Sequence, residues 1–187
     1  MKIKSLLAVS FVALTATLGA ASAEAVKIGV AAEPYPPFAA PDAAGNWVGW
    51  EIDIIDAVCT QAKLDCVITP VAWDGMIPSL TSKQIDVIMA SMSINEERLK
   101  TIDFSDFYYN EVAVIVADKS MAIEATSDSL KGKIVGVQAS TTHAAYAQKH
   151  FASGSEVKIY QTPVEANPDL VAGRIVAIQA DSIAMAE

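Results

Sequence analysis

Ile85-Asp86-Val87-Ile88-Met89-Ala90-Ser91-Met92-Ser93-Ile94-Asn95-Glu96-Glu97-Arg98 passes from an apolar strand through two hydroxyls into a helical turn that carries an arginine. Residues 85–89 read as a buried strand. On an extended backbone beyond it, Ser91 and Ser93 share one face, while Arg98 offers a planar fork that can hold both oxygens of a carboxylate. A small acidic ligand group would fit there. The same residues also suit a surface site in which the serines satisfy a strand end and Arg98 pairs with Glu96 or a neighbouring carboxylate. The surrounding sequence has to decide.

Upstream, Val26 to Ala32 reads as a buried strand. It runs into Glu33-Pro34-Tyr35-Pro36-Pro37-Phe38, where three prolines forbid regular pairing and predict an extended loop presenting Tyr35 and Phe38. A turn over Asp42 to Gly45 precedes a helix through about Lys63, with Ile52, Ile55, Val58 and Cys59 at helical spacing and Asp53, Asp56 and Lys63 on its solvated face. Cys66 to Trp73 alternates as a strand, and Asp74-Gly75-Met76-Ile77-Pro78 predicts a helix start with Asp74 as cap and a proline in the first turn. Strand, helix, strand, helix, strand is the order of a parallel sheet with covering helices. Ligands of such sheets sit at the carboxyl ends of the strands, and Tyr35, Trp73 and Ser91 all follow strand ends.

Downstream, Val112 to Ala117 is an apolar strand that crosses to a second lobe, and Ser120 to Lys131 reads as a surface connection. Lys133 to Gln138 predicts a strand, Thr141 to His150 a helix and Val157 to Gln161 a strand. Pro168 to Ala172 follows as a short helix capped by Asn167 and stopped at Gly173, and Arg174 to Ala180 as a last strand. Gln138-Ala139-Ser140-Thr141-Thr142 joins strand to helix, so its free backbone N–H groups and hydroxyls favour an anion. Asp181 follows the last strand on the same side and is placed to take an ammonium group. Plainer roles are open to these residues too: Thr141 and Thr142 as helix caps, Asp181 as the cap of a following helix.

Composition sets the compartment and excludes one class of partner. Lys2 and Lys4 precede an apolar run from Leu6 to Leu18, and Ala21-Ser22-Ala23 has the small-x-small pattern of a signal-peptidase site. Residues 1–23 are expected to be an export signal cleaved after Ala23, with an uncleaved anchor as the alternative. The 164 residues that remain hold 11 basic and 22 acidic side chains, a formal charge of −11. No nucleic-acid partner is expected of so acidic a chain. Cys59 and Cys66, in an exported chain, predict one disulfide tying a helix end to the next strand. Metal binding is the alternative for two cysteines, but structural zinc needs four ligands, so neither a metal nor a cofactor is expected.

These features together resemble the periplasmic amino-acid-binding proteins of ABC importers, a family that includes basic amino-acid and opine binders. The landmarks are Tyr35-Pro36-Pro37-Phe38, Gly49-Trp50-Glu51-Ile52-Asp53, Cys59 with Cys66, Trp73-Asp74-Gly75-Met76-Ile77-Pro78-Ser79-Leu80, Ser91-Met92-Ser93-Ile94 with Arg98, Val135-Gly136-Val137-Gln138 and Ala172-Gly173-Arg174. The resemblance implies an α/β, two-lobed, type 2 periplasmic-binding-protein-like fold, each lobe a sheet with flanking helices. Lobe 1 would span 24–112 and lobe 2 113–187, with the hinge near 110–115. It implies a non-enzymatic, monomeric periplasmic receptor that binds a free amino acid, polar or basic by preference, and delivers it to an ABC transporter permease.

By the same resemblance Arg98, Ser93 and the helix start at Thr142 hold the ligand's α-carboxylate. Ser91 and Asp181 take its α-ammonium, and Tyr35 and Trp73 flank its side chain. Such aromatic faces suit a cationic side chain. The sequence departs from the family in three places. Ala32 stands where basic amino-acid binders carry an acid, with Glu33 one residue nearer, and His143 replaces a common glutamine, which makes Glu33 and His143 possible specificity residues. Val176 stands where an aspartate is usual. The chain also stops at Glu187, short of family members, so an incomplete second lobe is expected. A sensor or adaptor domain, or an enzyme resembling cyclohexadienyl dehydratases, are the alternatives on this scaffold.

Overall fold

A computed structural model describes residues 24–186; the expected export signal lies outside them. Two sheets carry the architecture. The first is built from β1 (Val26–Ala31), β4 (Cys66–Val71) and β5 (Val87–Ile88) in the order β4-β1-β5, all parallel. The short strands β2 (Ala40–Pro41) and β3 (Trp47–Val48) form a hairpin beside it. Helix α1 (Trp50–Ala62) joins the hairpin to β4, and α2 (Met76–Thr81) leads to β5. Ile28, Val30, Ile52, Ile55 and Cys59 make the buried seam between β1 and α1, while Asp53, Asp56 and Lys63 face water as expected.

The second sheet has the order β6-β9-β7-β8, from β6 (Ala113–Ala117), β7 (Ile134–Gln138), β8 (Glu156–Tyr160) and β9 (Ala177–Asp181). Helices α3 (Ser127–Leu130), α4 (Thr142–His150) and α5 (Pro163–Val171) connect and cover it. Its parallel core β8-β7-β9 repeats the order β4-β1-β5 of the first sheet, in both cases with the first strand of the unit in the middle. Strand β6 is added antiparallel along β9. Leu130, Val135, Val137, Ala147, Phe151 and Ala177 form the core on the α4 side, and Tyr160, Ala166, Ile175 and Ile178 the core on the α5 side.

Several expectations need correction. The proline-rich loop is not extended: Tyr35 pairs with Ala39 across a tight turn that contains a cis Pro36-Pro37 bond. That turn buries Phe38 to 2% exposure rather than presenting it. Its ring stacks on Tyr35 at 5.3 Å and meets Trp50 and Tyr109, so aromatic packing outweighs the extended preference of proline. Val58, expected on the apolar face of α1, is 57% exposed. Asp74 caps nothing; residues 73–75 make a 3-10 turn and Gly75 is the N-cap of α2. The connection from Ser120 to Lys131 includes α3, capped by Thr126 and anchored by the fully buried Leu130. Helix α5 starts five residues before the expected Pro168, because Thr162 and Glu165 form a capping box with Pro163 at the first position. Asn167 is inside that helix. The expected strand over 85–89 shortens to Val87–Ile88.

The cysteines pair as expected. Cys59 and Cys66 form a disulfide with Cα atoms 6.2 Å apart, joining the last turn of α1 to the first residue of β4.

Candidate functional site

The carboxyl ends of the parallel strands in the two sheets face each other, and the segments that leave them line one cavity. Its empty volume is about 800 Å³ with the open solvent at its mouth included. From the first half it receives Glu33 and Tyr35 after β1, Trp73 after β4, and Ser91, Ser93 and Arg98 after β5. From the second it receives Thr142 and His143 at the start of α4, and Gln179 and Asp181 on β9. The residues read as ligand contacts or specificity residues all lie in this wall, whereas Phe38, Ala139 and Ser140 do not line it.

Arg98 sits in a 3-10 turn whose start is tied by the Asn95 side chain, which accepts from the Arg98 N–H at 2.8 Å. The residue is 9% exposed. Its guanidinium donates to the Ser93 carbonyl at 2.7 Å and, across the cleft, to the Ser140 carbonyl at 3.1 Å. It lies 5.6 Å from the Trp73 ring centroid, and the Trp73 indole N–H donates to the same Ser140 carbonyl at 3.3 Å. Among the described residues no carboxylate forms an ion pair with it. The surface pairing with Glu96 that the sequence left open is therefore absent from the described contacts. Burial lowers the Arg98 pKa from its ordinary value, yet a guanidinium stays protonated in proteins. It is a desolvated cation with carbonyl partners and spare donor capacity.

The opposite charge comes from Asp181, the last residue of β9. Its carboxylate accepts from the Tyr35 hydroxyl at 2.7 Å and meets His143 Nε2 at 2.9 Å. Burial works against the charged form, but the hydrogen bonds to His143 and Tyr35 outweigh it and hold the carboxyl below its ordinary value. Burial first, and Asp181 second, push the Tyr35 phenol well above its usual range, so it remains a donor. Thr142 opens α4 while Thr141 is its N-cap, accepting from the Ala144 N–H at 3.1 Å. Thr141, Thr142 and His143 at the start of the helix, where the first N–H groups lack intrahelical partners, all line the cavity.

Ser91 differs from its expectation. It has φ = 51°, a left-handed backbone, so Ser91 and Ser93 are not alternate residues of one extended face. Its hydroxyl and N–H both donate to Glu51 Oε1, at 2.9 and 2.6 Å, and the Tyr108 hydroxyl donates to the same oxygen. Glu51 is 1% exposed. Sequence reading passed over its role, although an acidic residue in the first turn of α1, two positions after a glycine cap, was visible in Gly49-Trp50-Glu51. Gln179 was missed as well; its signal is a lone polar residue inside the apolar run Ile175 to Ala180. Its Oε1 and Glu33 Oε2 are buried with no hydrogen-bond partner among the described residues.

The arrangement offers a cation and an anion on two sides of one cavity, aromatic faces between them and unmet acceptors in its wall. Comparisons with known proteins bear on the family of the chain. The family model for bacterial extracellular solute-binding proteins, family 3, matches residues 26–181. An L-arginine-binding protein of Pseudomonas aeruginosa is 39% identical over 159 residues, which are 84% of this chain and 61% of that protein. The lysine/arginine/ornithine-binding periplasmic protein of Escherichia coli is 38% identical over 188 residues, covering 98% of this chain and 72% of the relative. Among solved structures, an ancestral arginine-binding protein bound to arginine superposes with a TM-score of 0.81 at 35% identity, over 87% of this chain and 72% of that one. The chain thus spans roughly three fifths to three quarters of the length of these relatives.

Proposed function

Because this chain belongs to the bacterial extracellular solute-binding proteins of family 3, we propose that it is an exported receptor for a free L-amino acid with a basic side chain. In this reading it hands its ligand to an ABC transporter permease and catalyses no reaction. One observation carries the proposal: a buried guanidinium, Arg98, borders the cavity with no carboxylate partner among the described residues, and the Asp181 carboxylate borders the same cavity from the other half. A zwitterion supplies both missing charges. Its α-carboxylate would take the spare N–H groups of Arg98, helped by Ser93 and the α4 start at Thr142, and its α-ammonium would approach Asp181 and Ser91. Tyr35 and Trp73 would flank the side chain.

The basic side chain is supported by Glu33, whose Oε2 is buried in the cavity wall with no donor among the described residues. Relatives named for binding arginine, lysine and ornithine support the same class. His143 would act as a second specificity residue, since its bond to Asp181 occupies part of the carboxylate that a ligand would engage. Contacts from both halves meet across the cleft, from Arg98 and Trp73 to Ser140 and from Tyr35 to Asp181. Ligand binding would then favour the closed arrangement by adding contacts that exist only there.

The test is thermal unfolding of the purified protein with each L-amino acid in turn. A ligand at a thousandfold over its dissociation constant stabilises the folded state by about 4 kcal/mol, and arginine, lysine or ornithine should raise the transition most. A panel in which only small aliphatic amino acids act would overturn the basic-ligand reading. Turnover of prephenate or arogenate would replace the receptor by an enzyme.

A further inference from the structure

Strand β9 alternates its faces in the usual way. Ile178 and Ala180 pack with Tyr160, Ala166 and Ile175 on the α5 side, whereas Ala177 joins the core under α4. Gln179 therefore lies on the face of Ala177 and Asp181, one pleat deeper in the sheet than Asp181. It is 6% exposed, it borders the cavity beside Thr142 and His143, and its Oε1 has no partner among the described residues. An amide buried in this way costs free energy that an apolar residue would avoid, unless something entering the cavity supplies a hydrogen bond.

We propose that Gln179 is a specificity-determining residue whose side-chain carbonyl accepts a hydrogen bond from an N–H on the side chain of the bound amino acid. The inference rests on the amino-acid reading above and adds to it a residue and a ligand chemistry. Elimination leads to the side chain. In that reading the ligand's α-carboxylate is already met by Arg98, Ser93 and the α4 start, and the α-ammonium by the Asp181 carboxylate. What remains is a donor further along the ligand. Glu33 Oε2 is a second unmet acceptor in the same cavity, so the best occupant carries several N–H groups. A guanidinium has five, fixed in one plane, and a compact ammonium has three. The structure thus favours a guanidino ligand over one ending in a primary amine.

The experiment titrates L-arginine and L-norleucine by calorimetry into the wild-type protein and into Gln179→Met and Gln179→Glu, with a circular dichroism melt of each. Methionine keeps the shape and removes the acceptor; glutamate keeps the acceptor. Gln179→Met should bind arginine about tenfold to a hundredfold more weakly, as for a lost hydrogen bond to a charged group, and its preference for arginine over norleucine should narrow. Gln179→Glu should hold arginine within about threefold of wild type. The proposal is overturned if Gln179→Met binds arginine as wild type does, or if both variants fold and lose arginine alike. A wild-type protein that binds no amino acid would instead refute the receptor reading on which the inference rests.

Discussion

Replacing Glu51 with leucine should destabilise the protein substantially. The side chain is 1% exposed, and a single carboxylate oxygen accepts from the Ser91 N–H, the Ser91 hydroxyl and the Tyr108 hydroxyl. Leucine fills similar space but leaves the Ser91 N–H, fixed at φ = 51°, with only the 3.1 Å contact to the Tyr108 hydroxyl oxygen. Two side-chain hydrogen bonds at about 1 kcal/mol each, plus a poorly satisfied, half-buried amide, give a loss of about 2–4 kcal/mol. For a chain of this size that is a fall of about 5–15 °C in Tm. Glu51→Gln keeps an acceptor and should lose less than half as much. Tyr108→Phe should cost about 1 kcal/mol and add less than fully to Glu51→Leu, since the two changes remove one shared bond. Thermal denaturation followed by circular dichroism reads the wild type, the three single variants and the Glu51→Leu/Tyr108→Phe double variant. A Glu51→Leu protein melting within about 2 °C of wild type would refute the reasoning.

Reduction of the Cys59–Cys66 disulfide, whose partners are seven residues apart, should cost about 2–3 kcal/mol on loop-closure entropy; melting with and without reductant checks this. Gly49→Ala should prevent normal folding, because Gly49 has φ = 130° and an added Cβ would lie 2.3 Å from the Phe38 carbonyl oxygen; soluble yield and a cooperative melt report it. Asp181 has a folded pKa below its ordinary value, so its bonds to Tyr35 and His143 stabilise the protein fully above the unfolded carboxylate pKa of about 3.9, and that contribution fades as the pH falls through the lower folded value. Asp181→Asn should therefore flatten the acid limb of a plot of Tm against pH, and an unchanged limb would count against the network.

The fold was legible where burial writes itself into composition. The apolar runs at Val26, Ile134 and Ala177 are central or doubly covered strands, and the alternation of strands with helical spacing was enough to order two parallel units. Elements decided by local hydrogen bonds were harder to see. The start of α5 depended on a Thr162–Glu165 capping box that a second proline, Pro168, disguised inside the helix. The antiparallel pairing of β6 with β9 is a tertiary choice with no local signal.

In the site, Arg98, Asp181, Tyr35 and Trp73 were visible because charge or aromaticity at strand ends is chemically distinctive. Ser91 was located, but its left-handed backbone was not foreseen, since it depends on Glu51, distant in sequence. Gln179 was hidden for a different reason. A single amide in an apolar strand reads as noise until the structure shows that nothing among the described residues meets its oxygen.

The central claim is that Arg98 receives the carboxylate of an amino acid, and a change in the ligand tests it without disturbing the protein. Calorimetric titration of L-arginine and L-argininamide into the wild-type protein compares a carboxylate with a neutral amide in the same position. Losing one partner of a buried charge pair costs about 2–5 kcal/mol, so the amide should bind at least thirtyfold more weakly. In Arg98→Met, arginine should fall to the level of the amide and the difference between them should vanish. Equal binding of arginine and its amide by the wild-type protein would contradict the account.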